Sequence, residues 1–91
     1  MLDLRDLQCF VAVYETRGFG RAARRLNTVQ SSVSARVLRL EQQIGALLFD
    51  RLPRSARPTE KGNLLYLHAC RVLAEVGELE AAVVVRAVNL G

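Results

Sequence analysis

The sequence predicts a mainly α fold: three short helices, a two-stranded β hairpin and one long helix. Three observations carry this expectation. Apolar residues recur at helical spacing in four separate segments. A short apolar run and a basic stretch bounded by Pro53 and Pro58 separate the third segment from the fourth. No proline follows Pro58. At 91 residues, 51% hydrophobic and 24% charged, the chain fits one small globular unit rather than a disordered one.

The first helix is predicted from about Asp3 to Thr16, with Leu4, Leu7, Phe10, Val11 and Tyr14 on one face. Arg17-Gly18 ends it, Gly18 supplying the turn. A second helix follows over about Gly20 to Leu26. There Phe19, Ala22, Ala23 and Leu26 fall at i, i+3, i+4 and i+7, while Arg21, Arg24 and Arg25 point elsewhere. Asn27-Thr28 breaks the pattern. The third helix starts at Val29 or Gln30, runs to Ile44 and is stopped by Gly45, burying Val33, Val37, Leu40 and Ile44. The second and third helices and the short turn between them form a helix-turn-helix unit.

Leu47-Leu48-Phe49 is a short apolar run that could be a strand, and Ala56-Arg57 a very short return strand. Between them Pro53 to Pro58 reads as a basic loop, the shape of a DNA-binding wing or of an ordinary surface turn. Thr59 suits an N-cap and Glu60 a first helical turn. A helix from there to Leu90 would hold about 31 residues and span roughly 46 Å. A three-helix core cannot cover that length. Leu65, Ala69, Val72, Val76, Leu79 and Val83 are spaced 4, 3, 4, 3, 4, a heptad seam. The seam asks for a partner helix from a second copy of the chain, or for a following domain to pack against. The expected boundaries are a compact helix-turn-helix unit with its hairpin over 1–58 and a long projecting helix over 59–91.

The charge is unevenly placed. Residues 21–62 carry nine basic side chains against three acidic ones, whereas each end of the chain sums to −1. A basic centre suits a polyanion partner, or else is a solvated face. The third helix adds a sharper pointer. Its outer face offers Gln30, Ser31, Ser34 and Ala35 and, further round, Arg36 and Arg39. Serine is a weak helix former, yet the apolar stripe runs on through the cluster. The major groove, about 12 Å wide, accepts a helix whose facing side chains are small. Glutamine can pair with adenine, serine with several base edges or phosphate, and arginine with guanine or phosphate. The weak helix formers then serve contact rather than stability.

Other classes find little support. No run approaches the roughly 20 apolar residues of a membrane span, and MLDLRDLQCF has acids where a signal peptide would be basic, so a cytoplasmic location is expected. Cys9 and Cys70 make no disulfide framework, and His68 has no CxxC or second histidine beside it to suggest a metal site. No nucleophile–base pair or phosphate loop points to an enzyme.

The runs FGRAARRL (Phe19–Leu26), VQSSVS (Val29–Ser34), Leu40-Glu41, LLFDR (Leu47–Arg51) and TEKG (Thr59–Gly62) occur in order and at the spacing of one family. Over its whole length the chain resembles the N-terminal part of the LysR-type transcriptional regulators. The resemblance implies a winged helix-turn-helix domain followed by a linker helix. It implies a cytoplasmic bacterial homodimer formed through antiparallel linker helices, paired as a tetramer in the full protein, that binds an inverted repeat in double-stranded promoter DNA. It also implies a further C-terminal domain for a small-molecule effector, with no cofactor held in this chain.

On the family pattern Gln30, Ser31 and Ser34 face bases or phosphates, Arg36 lies one turn deeper, and Arg54 enters the minor groove; Arg51 is a family position too. Arg21, Thr28, Arg39 and Arg57 complete the candidate DNA-facing set, and Leu65, Val72, Val76, Leu79 and Val83 the dimer seam. The chain departs from the pattern at four places. Gly20 replaces the usual Ser or Thr, Val29 leaves the cap of the third helix to Thr28, Ala35 replaces a larger polar residue, and Pro58 predicts a short second strand. Two other readings stand beside this one: a helical adaptor whose basic face meets an acidic protein or RNA, and a regulator switched through Cys9 or Cys70.

Overall fold

The computed structural model describes residues 1–84. It contains α1 (Leu4–Thr16), α2 (Phe19–Arg25), α3 (Gln30–Ile44), β1 (Phe49–Leu52), β2 (Ser55–Pro58) and α4 (Glu60–Val83). Phe10, Val13, Ala22, Val33, Val37, Leu40, Leu48 and Phe49 form a core closed to solvent, roofed by Ala69 of α4. Ala22 and Ala23 are buried where α2 meets its neighbours. The stripe on α3 is buried as its spacing predicts, with Ile44 at the margin. On α1 the buried face is rotated: Leu4 is exposed, while Asp6, Cys9 and Ala12 lie inside.

Capping explains four of the eight helix ends among the described residues, at Asp3, Arg17, Gly45 and Thr59. Asp3 caps α1 by accepting from the Arg5 N–H at 2.7 Å. At its far end the left-handed residue is Arg17 (φ 60°, ψ 28°), not Gly18, whose φ of −163° is ordinary extended backbone. Local contacts offset the strain there. The Arg17 guanidinium lies 4.8 Å from the Tyr14 ring centroid, and the Arg17 carbonyl accepts from Arg21 Nη2 and the Ala56 N–H. A Cβ at Gly18 would meet the Arg21 guanidinium, so a larger residue there would displace that side chain. Val29 occupies the N-cap of α3 and no side chain caps it, so the capping role predicted for Thr28 is not found. Gly45 ends α3 with φ 81°, as predicted.

The wing is longer and tighter than the sequence suggests. Phe49 pairs with Pro58, Asp50 with Arg57, Arg51 with Ala56 and Leu52 with Ser55, so only Pro53 and Arg54 form the turn. Most of the stretch read as a loop is therefore strand. Pro58 does not shorten β2, because a proline at the end of an edge strand gives up only one donor. The Ala56 N–H donates to the Arg17 carbonyl at 2.9 Å, tying the hairpin to the end of α1.

Thr59 caps α4, accepting from the Gly62 N–H at 3.1 Å while its hydroxyl donates to the Leu47 carbonyl. Gly62 lets α4 sit directly against the start of the hairpin, since a Cβ there would overlap the Leu48 carbonyl oxygen. The helix ends at Val83, with Val84 extended. A run of β-branched residues favours that backbone without any proline. The predicted continuation to Leu90 lies outside the described residues. The heptad seam also divides. Leu65 and Ala69 pack on the chain's own core, so Leu65 does not belong to a free dimer face, whereas Val72, Leu79 and Val83 are exposed and Val76 is half-buried.

Candidate nucleic-acid interface

The first two turns of α3 and the hairpin turn flank one open cleft, lined among others by Arg24, Gln30, Ser34, Arg51 and Arg54. The positions follow from the fold. The apolar stripe of α3 turns Gln30 and Ser31 outward and leaves Ser34 half-exposed. The two-residue turn carries Arg54 to the tip of the hairpin, where it is exposed. Neither Gln30, Ser31, Ser34, Arg24 nor Arg54 makes a side-chain hydrogen bond or ion pair among the described residues. No acid lies in the first turn of α3. Thr28 is exposed at the turn before α3.

The other predicted arginines have partners within the chain. Arg36 Nη1 donates to Asp6 Oδ1 at 3.0 Å, and Arg39 donates from Nε and Nη2 to the two Asp6 oxygens at 2.9 and 3.0 Å. These two are therefore structural anchors of α3 rather than free outward cations. Burial pushes the Asp6 pKa up, but the hydrogen bonds and charges of Arg39 and Arg36 outweigh it and hold the carboxyl below its ordinary value. Arg21 donates to the carbonyls of Thr16 and Arg17 at 2.8 Å, satisfying the C-terminal end of α1. The Arg51 guanidinium lies 4.4 Å from the Phe19 ring centroid and 3.8 Å from Glu41. Arg57 lies 3.9 Å from Asp50, its cross-strand partner.

Glu41 faces inward and accepts from the Leu48 N–H at 2.8 Å, which fixes the chain leading into the hairpin. Among the described residues no carboxylate lines the cleft, which brings arginines and uncharged polar groups together. That arrangement suits a phosphate backbone on one side and base edges on the other.

Sequence reasoning missed two contributors. Arg24 lines the cleft but was counted only in the basic centre. Asp6 was not singled out, although an acid between Leu4 and Leu7 on α1, with arginines three apart on α3, was a readable signal. The thiols offer nothing comparable. Burial pushes the Cys9 thiol up, away from the reactive thiolate, and Cys70 is half-buried on α4. Among the described residues no helix is long and apolar enough to cross a membrane.

Comparison with known proteins places these features. Residues 4–63 match the model of the bacterial regulatory helix-turn-helix proteins of the lysR family. The HTH-type transcriptional regulator BudR of Raoultella terrigena is 45% identical over 73 residues, which are 80% of this chain and 25% of that protein. An uncharacterised HTH-type transcriptional regulator of Azotobacter vinelandii is 43% identical over 81 residues, 89% of this chain and 56% of that one. The chain thus spans between a quarter and about half of these relatives. Among solved structures, the DNA-bound DNA-binding domain of CbnR superposes with a TM-score of 0.84 at 29% identity, covering 88% of this chain and 92% of that one. The DNA-binding domain of BenM on its benA site gives 0.82 at 32% identity, covering 88% and 90%.

Proposed function

The chain belongs to the lysR family of bacterial regulatory helix-turn-helix proteins, and we propose that it is the DNA-reading part of a transcription regulator in the bacterial cytoplasm. It binds duplex DNA as a homodimer, each copy placing the N-terminal half of α3 in the major groove of one arm of an inverted repeat. The observation that carries this reading is the shared cleft: Gln30 and Ser34, free to meet base edges, line it together with Arg24, Arg51 and Arg54. Arg54 at the wing tip follows the backbone into the adjacent minor groove. The relatives' relevance is direct here, since the CbnR and BenM domains it resembles were solved on DNA.

The two chains meet along the exposed part of α4, through Val72, Leu79 and Val83 with the half-buried Val76 beside them, an apolar edge that one copy leaves largely in water. A pair of such dimers makes a tetramer in a longer protein, where effector recognition belongs to a separate domain.

A fluorescence-anisotropy titration at near-physiological salt tests the reading. One duplex is the intergenic DNA upstream of the protein's own gene and the other a scramble of equal composition. A preference of about a hundredfold or more is expected, since specific binders exceed their non-specific affinity by at least ~10³ in favourable cases. Equal, steeply salt-dependent binding to both would reduce the protein to a backbone binder.

A further inference from the structure

A cluster between α1, α2 and α4 takes no part in the cleft. The Tyr14 and Tyr66 rings stack with centroids 3.8 Å apart and planes 6° from parallel. The Tyr14 hydroxyl donates to Asn63 Oδ1 at 2.7 Å, and the Tyr66 hydroxyl donates to Glu15 Oε2 at 2.6 Å. The other Glu15 oxygen, Oε1, accepts from Arg25 Nη1 of α2 at 2.5 Å. One carboxylate on α1 thus holds α4 by one oxygen and the helix-turn-helix unit by the other. The hydrogen bond from Tyr66, with help from Arg25, holds the Glu15 carboxyl below its ordinary value, so it is ionised at neutral pH. The same bond pushes the Tyr66 phenol up, which keeps it a donor.

The rest of the α4 seat is narrow. Gly62, Leu65, Ala69 and Leu73 meet the core along one strip of the helix. A strip resists separation, but it resists sideways swing poorly; the stacked rings and the Glu15 bond act on the flank, where swing is opposed. The lever is long. Tyr66 to Val83 is about 26 Å of helix, so a swing of about 10° moves the far end by about 4 Å. That exceeds the ~3.4 Å rise of one base pair.

We propose that Glu15 and Tyr66 form an alignment joint: they set the angle at which α4 leaves the helix-turn-helix unit, and thereby the spacing between the two half-sites that a dimer reads. The inference rests on the dimeric DNA-binding reading above. Both residues are positioning residues and touch no DNA. Their side chains are exposed or half-buried, so each bond alone is weak. What they determine is direction.

The test uses the 91-residue chain. Wild-type protein first selects duplexes from a randomised pool. The selected repeat is then rebuilt with its spacer lengthened or shortened by one or two base pairs, and as an isolated half-site. Affinities are measured for wild type, Tyr66→Phe, Glu15→Ala and Glu15→Gln, with dimer mass checked by sedimentation. Wild type is expected to disfavour a one-base-pair change by about tenfold. Tyr66→Phe, which keeps the ring stack, and Glu15→Ala should narrow this to about threefold, with half-site affinity and dimer mass unchanged. Glu15→Gln, whose carbonyl oxygen still accepts from Tyr66, should retain most of the discrimination. A wild-type spacing profile in both Tyr66→Phe and Glu15→Ala overturns the joint. So does a uniform loss on every duplex, half-site included, which is the mark of a merely structural role. A wild-type protein that binds the half-site and ignores spacing overturns the dimeric reading itself.

Discussion

Asp6 on α1 and Arg39 on α3 form a two-bonded ion pair, Nε to Oδ2 at 2.9 Å and Nη2 to Oδ1 at 3.0 Å. Asp6 is wholly buried, and Arg36 adds a third bond from nearly one turn earlier on the same helix. Two arginines three residues apart share a face. Their common acceptor therefore fixes the rotation of α3 about its own axis. Turning Gln30 and Ser34 away from the cleft would break three charge-assisted hydrogen bonds.

Asp6→Asn is accordingly expected to destabilise the fold by about 1–2 kcal/mol, because it weakens three charge-assisted hydrogen bonds while solvent partly serves the two guanidinium groups. Urea titration would measure this. A variant as stable as wild type would show that solvent serves Arg36 and Arg39 equally well.

The same pair sets an acid limit. The folded Asp6 and Glu15 carboxyls lie below their ordinary values of 3.8 and 4.5. Between folded and unfolded values the unfolded chain binds more protons, so stability rises with pH there. The contribution is complete above the ordinary values and is lost as pH falls through the folded ones. Melting temperature should stay level from neutrality to about pH 5 and fall below about pH 4. A level profile down to about pH 2 would remove both carboxylates from the account.

Gln30 and Arg54 should fail in different ways. Gln30→Ala is expected to weaken binding by about 1–3 kcal/mol and relax preference at one base pair. Arg54→Ala should weaken binding to all sequences alike and lower the salt slope by about one per copy. Salt-dependent titrations on matched and single-mismatch duplexes separate the two. Identical behaviour of both variants would refute the docking geometry.

Gly62→Ala should cost about 1–3 kcal/mol, since its Cβ has no room against the Leu48 carbonyl oxygen and α4 must shift outward. Thermal melts would register it; Gly77→Ala, in an open stretch of the same helix, is the control and should be neutral or slightly stabilising.

Leu79→Glu combined with Val72→Glu should yield monomers of unchanged helix content. Both side chains are exposed in a single copy, so the change burdens only association. Sedimentation velocity and circular dichroism would decide; persistent dimers would move the contact elsewhere.

The helices, the cap at Thr59 and the Gly45 stop were legible because apolar spacing and capping chemistry act within a few residues. The exposure of Gln30 and Ser31 followed from the same stripe. What stayed hidden depends on residues far apart in the chain. Arg36 and Arg39 looked like outward cations because Asp6 is 30 or more positions away. Leu65 looked like seam because a heptad pattern does not say which of its members the monomer's own core takes. Pro53 to Pro58 looked like loop because turn residues dominate its composition, while what makes most of it strand is pairing with Phe49–Leu52, which composition does not show. Arg17 took the left-handed position expected of Gly18 because side-chain contacts compensate it.

Five of the nine basic side chains between residues 21 and 62 lie within ion-pair distance of a carboxylate of the chain itself. The count of basic side chains therefore overstates the free cations that a passing duplex meets. A protein whose grip on arbitrary sequence rests on few free cations dissociates quickly from wrong sites. On the DNA-binding reading proposed above, such a protein searches a genome by brief visits and lingers only where the bases opposite α3 answer it.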